Sequence, residues 1–278
     1  MNELRSNTDG LLFWGVPVVV FIGVAAVISA YELNIPLFLW IQGAAGSAYG
    51  SVWQSVTLFG DGLVAIVLCA VWLRSRPEAV WAALLGAIPA ALIVRVFKMT
   101  TDVPRPLAVL LDRVHVLGPA FRHASFPSGH AITAFLIAGI ACSVYRSASA
   151  RFLIMACASL VALSRIVVGL HWPIDVLGGA AAGWVCAHAG LVGARRWPVA
   201  RWKLASVALL AIVLAASITL FYARLDLPLA HAVRYTLAVA GCILCVIALF
   251  DLLKGSRFSA DLGPWIAAGG LSIRIRFP

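Results

Sequence analysis

Two stretches, residues 11–30 and 204–223, each run twenty residues without a charged side chain. A helix of that length rises about 30 Å, the thickness of a bilayer's hydrocarbon core. Six further segments are apolar but shorter or bounded by charge: 57–73, 79–94, 128–145, 152–170, 174–192 and 235–250. Each suits a helical crossing once its flanking residues share the span. The expectation is an all-α integral membrane protein with eight spans. Composition agrees, because 278 residues of which 63% are hydrophobic and 12% charged cannot clothe a soluble domain. The first stretch follows Arg5 and is longer than the apolar core of a secretory signal. Ile28 also fits poorly three positions before a cleavage at Ala30, so the stretch is expected to remain as a span.

A formal charge of +10 raises nucleic acid as a partner, but the basic residues sit in short loops between apolar segments rather than on one soluble face. No nucleic-acid role follows. With the N-terminus in the cytoplasm, thirteen of the twenty-one basic residues fall on the cytoplasmic side, among them Arg74, Arg146, Arg195, Arg257, Arg274 and Arg276. Seven fall opposite, including Lys98, Arg105, Arg165, Arg224 and Arg234, and that bias sets the orientation. All six cysteines lie in apolar segments, where they behave as small hydrophobes, and no disulfide framework is expected. Cys242 and Cys245 form a CxxC in the middle of the last span without a second pair, a poor redox or zinc motif.

Residues 36–54 are too polar for a crossing and are expected at the interface, where Trp40, Tyr49 and Trp53 suit headgroup depth. Between the third and fourth spans, 98–127 is the long hydrophilic connection, and long loops tend to carry function. The small residues at 178–183 in the sixth span point to close helix packing. Six spans within residues 1–195 make a core unit. The last two spans, behind the basic stretch 195–203, read as an appended hairpin with a basic tail over 196–278.

Ionisable residues are costly at a membrane, so their clustering points to function. They gather in three places: Lys98 to Pro106, Ser125 to His130, and Ser164 to Asp175. Counting crossings puts all three on the non-cytoplasmic side. Lys98, Arg105 and Arg165 offer a point charge and two planar forks, donors suited to a tetrahedral oxyanion such as phosphate. Ser128 and Gly129 stand where a helix begins, so free N–H groups and the positive end of the helix dipole can face the same anion. His171 and Asp175 are four apart, which lets the carboxylate orient the imidazole as a nucleophile. His130 opens a helix and suits general acid work. Alone, each piece has an ordinary explanation: anchoring for Lys98 and Arg105, capping for Ser128, snorkelling for Arg165. Their conjunction on one face is the specific signal. Asp102 and Asp112 lack companion ligands at metal spacing, so neither metal nor cofactor is expected. His115 and His123 read as loop surface, His188 as helix packing, and His231 as interfacial.

These residues resemble the type 2 phosphatidic acid phosphatases. That family's pattern is Lys, six residues, Arg-Pro; then Pro-Ser-Gly-His; then Ser-Arg, five residues, His, three residues, Asp. Lys98 to Arg105-Pro106, Pro127-Ser128-Gly129-His130, and Ser164-Arg165 through His171 to Asp175 stand at those spacings. The resemblance covers about residues 10–195 and leaves the last two spans outside. It implies that His171 attacks phosphorus and becomes a phosphohistidine, that Asp175 holds it, and that His130 protonates the departing oxygen. Lys98, Arg105, Ser128, Gly129 and Arg165 would hold the phosphoryl oxygens without metal. The implied substrate is a phosphorylated lipid in a bacterial inner membrane, met from the periplasmic or outer face. Undecaprenyl diphosphate, phosphatidylglycerophosphate and the 1-phosphate of lipid A all remain open. A phosphotransferase passing the group to a lipid acceptor is the nearest alternative. A soluble vanadium haloperoxidase is opposed by the eight spans, and a transporter or scaffold by the intact nucleophile, acid and orienter.

Overall fold

The computed structural model describes residues 2–45, 49–201, 203–223, 225, 227 and 230–254. Arg224 and the tail with Arg257, Arg274 and Arg276 lie outside the described residues. Among the described residues every regular element is helical: α1 Asn2–Ala30, α2 Asn34–Ala45, α3 Gly50–Leu58, α4 Gly62–Leu68, α5 Ala70–Leu73, α6 Pro77–Thr100, α7 Pro106–Leu110, α8 Gly129–Val144, α9 Ala148–Val167, α10 Pro173–Arg196, α11 Lys203–Tyr222 and α12 His231–Leu253. Six of them, α1, α6, α9, α10, α11 and α12, are long and apolar enough to cross a membrane. Their outward faces carry Val19, Ile22, Leu204 and Ile243, the reverse of a soluble surface. This is an integral membrane protein.

Two expected spans take other forms. The segment 57–73 is not one helix: α3 and the Gly62–Leu73 half meet at a 67° bend. The turn between them, Phe59-Gly60-Asp61, ends one helix and starts the next. Asp61 caps α4 by accepting from the amides of Leu63 at 2.8 Å and Val64 at 3.3 Å. The fourth span, α8, is only 16 residues, about 24 Å. It is largely buried among neighbouring helices, from Ala131 to Cys142, so it need not match the lipid thickness.

α10 is the centre of the bundle and packs against α1, α6 and α8. Its small residues make this possible. A Cβ added at Gly183 would collide with the Ile132 carbonyl of α8, and one at Gly190 with the Ala82 carbonyl of α6. On the opposite side α1 seats Trp14 against Trp184 at 5.3 Å and His188 at 4.8 Å, which gives His188 its packing role. α2 holds to the bundle through Phe38, fully buried and edge-on to Trp172 at 5.2 Å. Gln42 adds hydrogen bonds both ways with the backbone of His115, while Trp40 stays exposed.

α11 and α12 pack on the bent second span, where Leu58, Val64 and Val67 share a core with Ala216, Leu220 and Ala238. An ion pair of 2.5 Å between Arg74 and Asp251 ties the end of α5 to α12.

Candidate active site

The C-terminal ends of α6 and α9, the start of α8 and α10, and the 101–128 connection converge at one end of the bundle. Backbone hydrogen bonds lock them: the Ser128 amide donates to Asp175 O at 3.0 Å, and Leu117 N to Val168 O at 3.0 Å. Trp172 adds its indole N–H to Pro104 O at 2.8 Å. The three sequence clusters, separated by up to seventy-odd residues, therefore share one neighbourhood.

His171 lies in the tight turn between α9 and α10 and is 2% exposed. Its amide donates to the Arg165 carbonyl at 3.2 Å, and its Nδ1 stands 3.5 Å from Asp175 Oδ2. Burial, followed by the positive charges of Arg165, Arg105 and Lys98, pushes the imidazole pKa well below the ordinary histidine value. Both effects favour the neutral ring. Asp175, in the first turn of α10, is equally buried, and its Oδ2 accepts from the Trp172 amide at 2.8 Å and from Ser125 Oγ at 2.5 Å. The carboxylate is thus pinned by two donors on the oxygen that faces His171. Ser125 stands within a polar cluster that the sequence singles out, yet its spacing gave no hint of this partner.

Arg105 is buried and threads the long connection together. It donates to the carbonyls of His123 at 2.9 Å, Leu170 at 3.0 Å and Ala124 at 3.4 Å, and lies over the Phe121 ring. Three of its five N–H groups are so committed, which leaves two for an anion. Arg165 is 5% exposed, with Nη1 on Thr57 Oγ1 at 2.6 Å. Thr57 lies outside every sequence motif. Ser128 occupies the N-cap position of α8, but its hydroxyl makes no cap hydrogen bond. Gly129 and His130 open that helix, whose first-turn amides have no intrahelical acceptor. Lys98, in the last turn of α6, is near enough for its charge to act on both histidines. Ser128 Oγ, Arg165 Nε and His171 Nδ1 are fully buried with no hydrogen-bond partner among the described residues. With Nδ1 facing Asp175, the other two atoms, in a field of three cations, are unspent donors for an anion.

A cleft of about 530 Å³ adjoins the site, lined mainly by Ile35, Val103, Pro104, Val109, Phe126 and Trp172 and reaching Asp175. Lys98, Arg105 and Arg165 do not line it, so it borders the carboxylate side of the cluster rather than the cationic side. His115 and His123 are exposed, as the sequence suggested, and His123 pairs with Asp102 at 3.5 Å.

A helical membrane bundle with this buried cationic and histidine cluster defines a class of phosphate-handling membrane enzymes. The PAP2 superfamily profile matches residues 79–198, the stretch that contains all three clusters. An undecaprenyl-diphosphatase of Bacillus subtilis is 30% identical over 152 residues, 52% of this chain and 76% of that protein. A lipid A 1-phosphatase of Rhizobium etli is 30% identical over 175 residues, 53% of this chain and 71% of that protein. The crystal structure of Aquifex aeolicus LpxE is similar at a TM-score of 0.53 and 30% identity, over 58% of this chain and 95% of that one. The chain belongs to the PAP2 superfamily and is a membrane phosphatase of that family.

Proposed function

We propose that the protein removes phosphate from a phosphorylated or diphosphorylated membrane lipid through a phosphohistidine, without a metal ion. The observation that carries this reading is the pair of buried polar atoms without a hydrogen bond, Ser128 Oγ and Arg165 Nε, beside His171, whose Nδ1 faces the pinned Asp175 carboxylate at 3.5 Å. With Nδ1 turned towards Asp175, the Nε2 lone pair of His171 attacks phosphorus. His130 gives a proton to the departing lipid oxygen, and the P–O bond breaks. Lys98, Arg105, Arg165, Ser128 and the amide of Gly129 hold the three equatorial oxygens, whose charge grows in the transition state. Water then attacks the phosphohistidine and gives a proton back to His130, and the P–N bond breaks to release inorganic phosphate. Residues 1–195 carry this chemistry, and the segment from 196 braces the bent second span.

The relatives' names support a lipid substrate, and undecaprenyl diphosphate and the 1-phosphate of lipid A head the panel to test. Purified protein in detergent, given that panel with EDTA present, is expected to release inorganic phosphate into water. Release that stops in EDTA and returns with magnesium contradicts the metal-free reading. Phosphate that appears on an added lipid acceptor, with none released into water, points to a phosphotransferase.

The basic-residue bias supports a site on the non-cytoplasmic face, which in a bacterial inner membrane is the periplasmic or outer one. Single cysteines at Arg113→Cys and Arg146→Cys, in a background without the native cysteines, test this in intact cells. An impermeant thiol reagent is expected to label the first and spare the second. The opposite pattern inverts the protein and moves the site to the cytoplasm.

A further inference from the structure

Residues 57–61 precede the stretch matched by the family profile, yet they touch two members of the candidate site. Thr57, the penultimate residue of α3, is fully buried, and its hydroxyl accepts from Arg165 Nη1 at 2.6 Å. A short contact from a guanidinium to a hydroxyl is charge-assisted and directional, so it fixes the plane of the fork. The same arginine's Nε stays unpaired, and its carbonyl accepts from the amide of His171. Three residues on, Gly60 lies against His130. A Cβ there would stand 2.7 Å from the His130 Cβ and 3.0 Å from its Cδ2, closer than real side chains approach. Asp61 then caps α4 and holds the 67° bend that brings both residues inward. The carboxylate of Asp61 also acts on the buried charge of Arg165.

Building on the phosphatase reading above, we infer that the broken turn of the second span is a positioning element of the active site: Thr57 sets the plane of the Arg165 fork for the phosphoryl oxygens, and Gly60 leaves the room that His130 occupies. Thr57 acts through Arg165 and touches no reacting atom.

The test reads orthovanadate affinity from the vanadate-dependent rise in melting midpoint of the purified full chain, in wild type, Thr57→Val, Thr57→Ser, Arg165→Lys and the Thr57→Val/Arg165→Lys pair. Thr57→Val is expected to weaken vanadate about ten- to a hundredfold, the range for losing a hydrogen bond to a charged group. Thr57→Ser, which keeps the hydroxyl, is expected to remain within about threefold of wild type. Adding Thr57→Val to Arg165→Lys is expected to cost little more, because the partner's fork is already gone. An equal loss in both backgrounds marks a general packing defect and overturns the inference, as does unchanged affinity in Thr57→Val or a failure of Thr57→Ser to recover it. Wild-type protein that neither binds vanadate nor releases phosphate from any lipid instead overturns the phosphatase mechanism beneath it.

Discussion

Replacing His171 by alanine is expected to lower kcat by roughly 10⁴-fold or more and to abolish the phosphoenzyme, because no other group near the site can replace the attacking nitrogen. His130, the other histidine that the described residues bring to the cluster, opens α8 and is assigned to the departing oxygen. The check is a quench experiment with ³²P-labelled lipid: wild type should trap an acid-labile, base-stable phosphoprotein and the variant none. Turnover kept within tenfold in His171→Ala sinks the mechanism. Asp175→Asn is expected to cost less, on the order of 10²-fold. An amide keeps an oxygen for the Ser125 and Trp172 donors but removes the charge that stabilises the ring as it becomes phosphorylated. The pH profile carries the same signature. Burial and three cations disfavour the imidazolium of His171, so the neutral ring needed for attack persists as pH falls below the ordinary value of about 6.5. The acid limb of kcat/KM due to this residue therefore belongs below pH ~6.5. A limb above it would show a nucleophile outside this field.

The long spans were legible because apolar content alone decides them. The segment 204–223 appears as Lys203–Tyr222, and 79–94 extends to Pro77–Thr100 because Lys98 and Arg95 can remain helical at a membrane edge. The bend at residues 59–61 was not read, since hydropathy averages over it. The signal was present in Gly60-Asp61-Gly62, a capping acid between two residues that resist helix. Motif spacing located the candidate site residues, because ionisable groups near lipid are few. What spacing could not convey was how they are held. Arg105 spends three donors on loop carbonyls that lie up to 65 residues away, and Ser125 pins a carboxylate 50 residues on. Thr57 sits between Val56 and Leu58 and matches no motif that would mark it. Such partners are products of the tertiary fold, and local pattern holds no record of them.

A short, water-soluble phosphate ester is expected to be a poor substrate, by about a thousandfold or more in kcat/KM relative to a long-chain lipid with the same headgroup. Lys98 sits in the last turn of α6, His130 in the first turn of α8, and His171 between two further spans, so the reacting phosphorus belongs at headgroup depth. Beside Lys98, the side chains of Val96, Phe97 and Met99 are exposed on the outer face of α6 and offer apolar surface next to the cationic cluster. A tail lying there leaves water as the head enters the site. At ~0.8 kcal/mol per buried methylene, six methylenes contribute roughly 5 kcal/mol, which is more than a thousandfold in affinity. If that binding is shared equally by the ground and transition states, the gain appears in KM, and kcat changes little along the series. Measuring both constants for esters that differ only in chain length, at a fixed detergent-to-lipid ratio, separates the cases. A shortest ester turned over as efficiently as the longest lipid would remove the lipid from the assignment while leaving histidine chemistry intact, because nothing in the attack of His171 depends on the tail.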